Sequence, residues 1–219
     1  MQKLSALYAE FVGTFAMVFC GTAAMAVNET TGAVAHEGIA ITWGLIVMVM
    51  IYAFGEQSGA HFNPAVTVSF ALAKRFAWEK VPSYVFTQAL GSITASVAVK
   101  ALLPESEIIG ATIPTIPHMS AFWLELLLSF FLMIVILHIS TGSKEIGPVA
   151  GVAVGSVILL EAMFAGPLTN ASMNPFRSLG PALVGNHWEP MWIYLTAPFA
   201  GMALAVAIFK VFVPSQNGH

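Results

Sequence analysis

Charge is what this sequence is short of. Of its 219 residues, 8 are Lys or Arg and 11 are Asp or Glu, 9% in all, whereas a soluble domain draws about a quarter of its residues from these four types. Such a chain cannot clothe a water-facing surface with charge. Eight basic residues against eleven acidic ones form no phosphate-tracking patch, so nucleic acid is not expected as a partner. Cys20 stands alone, which excludes a disulfide-stapled secreted domain. No glycine-rich phosphate loop of either common type occurs. Nor does any cluster of His, Cys or carboxylates stand at catalytic spacing, so neither enzymatic activity nor a metal or cofactor is expected. What remains is apolar: 58% of the residues are hydrophobic and the mean hydropathy is +0.82. The composition is that of an integral membrane protein.

Six long apolar stretches carry this reading further. They run over 4–27, 35–55, 81–99, 120–142, 146–166 and 191–209, and four of them hold a single acidic residue each: Glu10, Glu37, Glu125 and Glu161. A bilayer core about 30 Å thick needs roughly 20 apolar residues as helix, so six spanning helices are predicted. The first is not read as a cleavable signal peptide, because the others share its character and no A-x-A site follows it.

Two segments fit neither a span nor an ordinary loop. Residues 63–73 read NPAVTVSFALA and 174–183 read NPFRSLGPAL. Asn caps a helix, and Pro at the first helical position loses nothing by lacking its N–H. Ten or eleven residues rise only about 15 to 17 Å. A helix of half-membrane length leaves backbone unsatisfied unless it is buried in protein or lines water, and two such helices can solve the problem by meeting end to end. The small residues of 55–62 and 166–173 suit the tight re-entrant chain this requires.

The halves repeat. Glu10 in AEFVGTF and Glu125 in LELLLSF each stand early in the first span of a half, and each precedes its Asn-Pro by about fifty residues. Three spans plus a half-helix per copy force the second copy into inverted orientation. The expectation is a single domain over 1–219, with inverted repeats at approximately 4–103 and 120–212 and the working site at the midplane. With both termini cytoplasmic, Lys3, Lys74, Arg75, Lys80, Lys144 and Lys210 fall inside, leaving Lys100 and Arg177 as exceptions.

GAHFNPAVT at 59–67, ASMNPFRSLGPAL at 171–183, AEFVGTF at 9–15 and APFAG at 197–201 resemble the aquaporin, or major intrinsic protein, family. The match extends over essentially the whole chain. TWGLIVMVMIYA at 42–53 and AGPLTNASMNP at 165–175 resemble most the plant nodulin-like intrinsic proteins and their prokaryotic relatives. The resemblance implies an aquaporin-like, all-α membrane fold of six transmembrane helices and two re-entrant half-helices. It implies a passive channel for water and small uncharged solutes such as glycerol, set in a lipid bilayer as a homotetramer. The compact chain suits a plasma (inner) membrane.

The pore motifs carried over are Asn63, Pro64 and Ala65, and Asn174, Pro175 and Phe176. Two helix N-termini meeting at the centre bring about +0.5 charge each and repel cations. Each Asn could turn its amide N–H₂ into the lumen while its carbonyl takes backbone donors; the bland alternative is capping alone. By spacing from the motifs, the narrowest constriction falls to Trp43, Ala162, Ala171 and Arg177: one aromatic wall, one cation and two small residues. Water-selective members commonly have His where Ala162 stands. Arg177 has a competing reading as an interfacial side chain that snorkels out of the membrane. The resemblance gives Glu10 and Glu125 a role bracing the re-entrant loops, against the alternative of a proton-coupling site. His61 is either a pH-tuned group near the pore or a satisfied structural histidine.

Three departures from the family pattern stand out. NPF replaces NPA, so the Phe176 ring either narrows the centre or turns outward. Glu161, beside Ala162, either faces the lumen or pairs with loop backbone, and pairing is favoured. Ser178 and Ala182 stand where glycerol facilitators carry an acidic residue and a Lys, so this tail resembles a water channel and the constriction a solute channel. The rival function is a proton-coupled secondary transporter of a small neutral solute, which also uses inverted repeats and would need Glu10, Glu125 or Glu161 to carry protons.

Overall fold

The computed structural model describes residues 2–140 and 149–213. Lys144, the first residues of the fifth predicted span and the segment 214–219 lie outside the described residues. Eight α-helices occur among the described residues: α1 Gln2–Thr31, α2 Ala35–Ser58, α3 Pro64–Leu72, α4 Val81–Leu102, α5 His118–Ile139, α6 Ala150–Thr169, α7 Pro175–Gly185 and α8 Met191–Phe212. Six of them are long and apolar enough to cross a membrane, and α3 and α7, at 9 and 11 residues, are not. The protein is a multi-pass membrane protein.

Helix ends depart from the apolar runs by a few residues. α1 outlasts its run and ends at Thr31, and the hydroxyls of Thr30 and Thr31 bond back to the carbonyls of Ala26 and Val27. Backbone hydrogen bonding carries the helix on where hydrophobicity has stopped, which a hydropathy count cannot see. Among the described residues α6 begins at Ala150.

Packing follows an exchange of halves. α1 packs on α2 and α4, and α5 on α6 and α8. The short α3 lies against α8 and α4, and the short α7 against α4 and α8. At the seam between halves α2 crosses α6, with Gly44 and Gly155 face to face. A Cβ on either would come within 2.7 Å of the other's carbonyl oxygen, and small residues are what let membrane helices approach so closely. Many large apolar side chains, among them Phe86, Phe131, Leu160 and Phe164, face outward, as a lipid-facing surface requires. The polar interior is concentrated where the short helices begin.

Candidate functional site

Each short helix is started by its own sequence. Asn63 has extended backbone and its side-chain oxygen accepts from Ala65 N at 2.9 Å, with Pro64 in the first helical turn. Asn174 accepts from Phe176 N at 3.0 Å and from Arg177 N at 3.4 Å, with Pro175 placed alike. The caps satisfy amides that would otherwise be bare inside the membrane.

The approach segments share an unusual backbone. Gly59, Ala60 and Phe62 have positive φ, and so do Asn170, Ala171 and Met173. Left-handed non-glycine residues cost of order 1 kcal/mol or more each and persist only where the surroundings fix them. Here a buried carboxylate does the fixing. Glu10 on α1 accepts from His61 N (2.9 Å), Phe62 N (2.8 Å), Ser58 Oγ (2.7 Å) and Gln88 Nε2 (2.7 Å). Glu125 on α5 accepts from Ser172 N (2.9 Å), Met173 N (2.9 Å) and Thr169 Oγ1 (2.7 Å). Both carboxylates are 0% exposed, and such burial demands this density of donors. Tyr84 and Tyr194 add hydroxyl bonds to the carbonyls of Ser58 and Thr169.

The two caps then meet. Asn63 Nδ2 donates to Met173 O at 2.8 Å, and Asn174 Nδ2 donates to Phe62 O at 2.9 Å. Each Asn thus bonds to the residue preceding the other. Of the N–H₂ groups expected to turn toward a lumen, one N–H of each is spent on the opposite loop, because a buried amide takes a fixed carbonyl when one lies in reach. The second N–H of Asn63 remains, and Asn174 Nδ2 also reaches the weak acceptor Met17 Sδ at 4.0 Å.

A cavity of about 140 Å³ surrounds this junction. Trp43, Ala171 and Arg177 line it together with both Asn residues, and its wall continues to Ile139, Ser140 and Ala150. Apolar side chains such as Val47, Val66, Leu132 and Val154 make most of the wall, and the backbone of 59–63 and 171–174 supplies polar atoms. Arg177 is 2% exposed. Its NH1 donates to Gly110 O at 2.8 Å, its NH2 approaches Met25 Sδ at 3.0 Å, and its guanidinium carbon lies 4.6 Å from the centre of the Trp43 ring. Among the described residues no carboxylate pairs with it and its Nε has no hydrogen-bond partner. The snorkelling alternative is not what the structure has.

Other sequence-predicted residues fall as follows. Ala162 is buried in the same apolar cluster as Trp43 and Ala171 but is not among the cavity-lining residues. Phe176 is half-buried and does not line the cavity either, so its ring is not at the centre. His61 lines the cavity, its Nδ1 lies 3.1 Å from Thr67 Oγ1, and its ring packs among Phe70, Phe76 and Tyr84 at 4.8 to 5.3 Å. Glu161 is buried, but its Oε2 has no hydrogen-bond partner among the described residues. The favoured pairing with loop backbone is therefore corrected: Glu125 already takes the amides of Ser172 and Met173. Sequence reading missed Gln88, Tyr84, Tyr194 and the Gly110 carbonyl. A signal existed for some: Ser58 and Thr169, like Asn63 and Asn174, are 111 residues apart, and Tyr84 and Tyr194 are 110 apart.

The profile of the family described as Major intrinsic protein matches residues 1–209. The chain belongs to the major intrinsic protein family. It is 45% identical over 201 residues to aquaporin NIP1-4 of Oryza sativa subsp. japonica, covering 91% of this chain and 74% of that protein. It is 43% identical over 210 residues to nodulin-26 of Glycine max, covering 95% and 78%. Among solved structures, the X-ray structure of the aquaglyceroporin from Plasmodium falciparum superposes with a TM-score of 0.87 at 28% identity, covering 97% of this chain and 98% of that one. Members of the family are membrane channels, and the six spans and two half-helices of this chain are the aquaporin fold.

Proposed function

We propose that this member of the major intrinsic protein family is a passive channel for water and small uncharged solutes of glycerol size, closed to ions and protons. The observation that carries the reading is the reciprocal bonding of Asn63 and Asn174 inside a cavity that both line. Two helix N-termini converge there, each worth about +0.5 charge; Asn63 keeps one N–H for a permeant oxygen, and that of Asn174 faces only the weak acceptor Met17 Sδ, which a permeant oxygen displaces. A water that accepts two such bonds cannot donate in both directions along a file, which opposes proton hopping.

Selectivity falls to Trp43, Ala171 and Arg177, with Ala162 behind them. A polyol lays its carbon edge on Trp43 and turns hydroxyls toward the Arg177 guanidinium. Glu10 and Glu125 support the re-entrant loops, and His61 belongs to that support through Thr67 and its aromatic neighbours. Proton-coupled transport loses ground because no carboxylate is among the described residues lining the cavity. The reading extends to an inverted repeat, since the α-helix pairs α1 with α2 and α4, and α3 with α4, have their counterparts in α5 with α6 and α8, and α7 with α8. It also extends to cytoplasmic termini. Arg75 bonds to Leu137 O at the end of α5 and Lys210 to Leu72 O at the end of α3, whereas Lys100 bonds to Val184 O in α7. The basic residues thus gather mainly at one end of the bundle. A homotetramer in a plasma membrane completes the proposal.

Stopped-flow light scattering on proteoliposomes tests it: water and glycerol permeability should both exceed those of empty vesicles. Arg177→Val should raise proton or cation leak by about tenfold, the equivalent of ~1.4 kcal/mol of barrier. Glycerol flux that depends on a pH gradient would instead favour the coupled transporter.

A further inference from the structure

Arg177 is not held by its own half-helix alone. The face of α1 made by Thr22, Met25, Ala26 and Glu29, spaced as successive turns require, meets the chain between α4 and α5. Met25 Sδ touches the guanidinium. Ala26 packs with Ile109, which is 1% exposed. Thr22 lies against Gly110, whose φ is +76 degrees and where a Cβ would come within 2.8 Å of the Thr22 Cα. No other residue can occupy that place without moving the loop, and it is the Gly110 carbonyl that accepts from Arg177.

The loop reaches this position through one exposed carboxylate. Glu29 accepts from Ser106 Oγ through Oε2, and from Glu107 N (3.1 Å) and Ile108 N (3.4 Å) through Oε1. Ser106 Oγ in turn accepts from Ile109 N at 3.0 Å, and Ala111 N closes the turn on Ile108 O at 2.8 Å. A continuous run of hydrogen bonds therefore links Glu29 to the residues on either side of Gly110. Farther along, Ile113 N donates to Asn170 Oδ1, which ties the same loop to the second re-entrant segment.

We infer that Glu29 is a positioning residue for the constriction: it pins 106–109 so that the Gly110 carbonyl fixes the Arg177 guanidinium against Trp43. The inference rests on the proposed role of Arg177 at the narrowest point. Glu29 itself touches no permeant. It sets the rigidity of the cation that does, and a side chain held by second contacts loses its geometry when those are removed.

The test uses the full chain in proteoliposomes and reads proton leak, water and glycerol flux, and the ¹⁵N resonance of the Arg177 Nε–H. Glu29→Ala should raise the leak roughly threefold and shift or broaden the Arg177 resonance. Glu29→Gln keeps an acceptor oxygen and should restore both toward the unsubstituted values. Adding Glu29→Ala to Arg177→Val should change the leak no further. If Arg177→Val raises the leak but Glu29→Ala moves neither readout, the pinning is overturned while the filter stands. If Arg177→Val leaves the leak unchanged, the filter reading fails, and the resonance still decides the pinning: a shift in Glu29→Ala supports it and an unmoved line overturns it. An equal fall in water and glycerol flux with an unmoved resonance would mark Glu29 as merely structural and overturn the inference.

Discussion

The two re-entrant segments are built on one backbone and differ in a few side chains. Both run through the same left-handed positions into an Asn-Pro start, and both have their last two loop amides held by a glutamate from the first helix of their half. The first brace has a fourth donor, Gln88, four residues after Tyr84. At the matching place, four residues after Tyr194, stands Pro198, which donates nothing. His61 meets Thr67 in one segment, and Ser172 meets Ser178 in the other. The decisive difference lies three residues after each Asn, where the first half-helix has Val66 and the second Arg177, both lining the cavity. What is duplicated sets geometry, and what is not duplicated sets chemistry. In the function proposed above, one cation at one of two equivalent places makes a selective passage out of a nearly symmetrical frame.

The comparison can be broken most forcefully at its shared element. Glu10→Ala and Glu125→Ala should each cost on the order of 3–5 kcal/mol, because each leaves buried donors without an acceptor. Glu10→Ala should cost more, since four donors lose a partner rather than three. Thermal unfolding in detergent, or the yield of folded protein, reads this order, and equal losses would show that Gln88 adds nothing to the first brace. Gln88→Leu asks the same question more gently. Losing a hydrogen bond to a charged group should cost about 1.5–3 kcal/mol while water flux per folded channel stays near that of the unsubstituted protein.

Smaller effects sharpen the unmatched side. Ala162→His puts a ring beside Trp43 and Ala171 and should lower glycerol flux roughly tenfold, ~1.4 kcal/mol of added barrier, with a smaller change for water. An equal loss of both would remove Ala162 from the constriction. The mildest substitution is Phe176→Ala, which gives the second motif the residue found at Ala65 in the first. Because the Phe176 ring does not line the cavity, water permeability should stay within about twofold, well below the tenfold that ~1.4 kcal/mol represents. A large rise would place the ring in the path.

Much of the fold was legible because the membrane imposes it. Six apolar runs of bilayer length dictate six helices, and Asn-Pro at 63–64 and 174–175 dictates two helix starts too short to span. Trp43, Ala171 and Arg177 were legible through their spacing from those motifs. Less legible were contacts made through main-chain atoms: the carbonyls of Phe62, Met173 and Gly110 have no residue type to betray them. Glu161 misled for a related reason. Its neighbourhood to Ala162 in sequence suggested a loop contact, but the loop amides were already taken by Glu125.

The amino-acid order by itself determined that this chain lies in a bilayer, where its helices start, and which polar side chains must be buried there. Hydrophobic length and capping chemistry act locally, so they can be read along one dimension. Only the tertiary structure decided that Asn63 bonds beside Asn174 and that Phe176 stays off the cavity wall. It alone decided, too, that Arg177 rests on a carbonyl from a distant loop. Those outcomes depend on directional bonds between segments up to 112 residues apart, and direction exists only once the chain is folded.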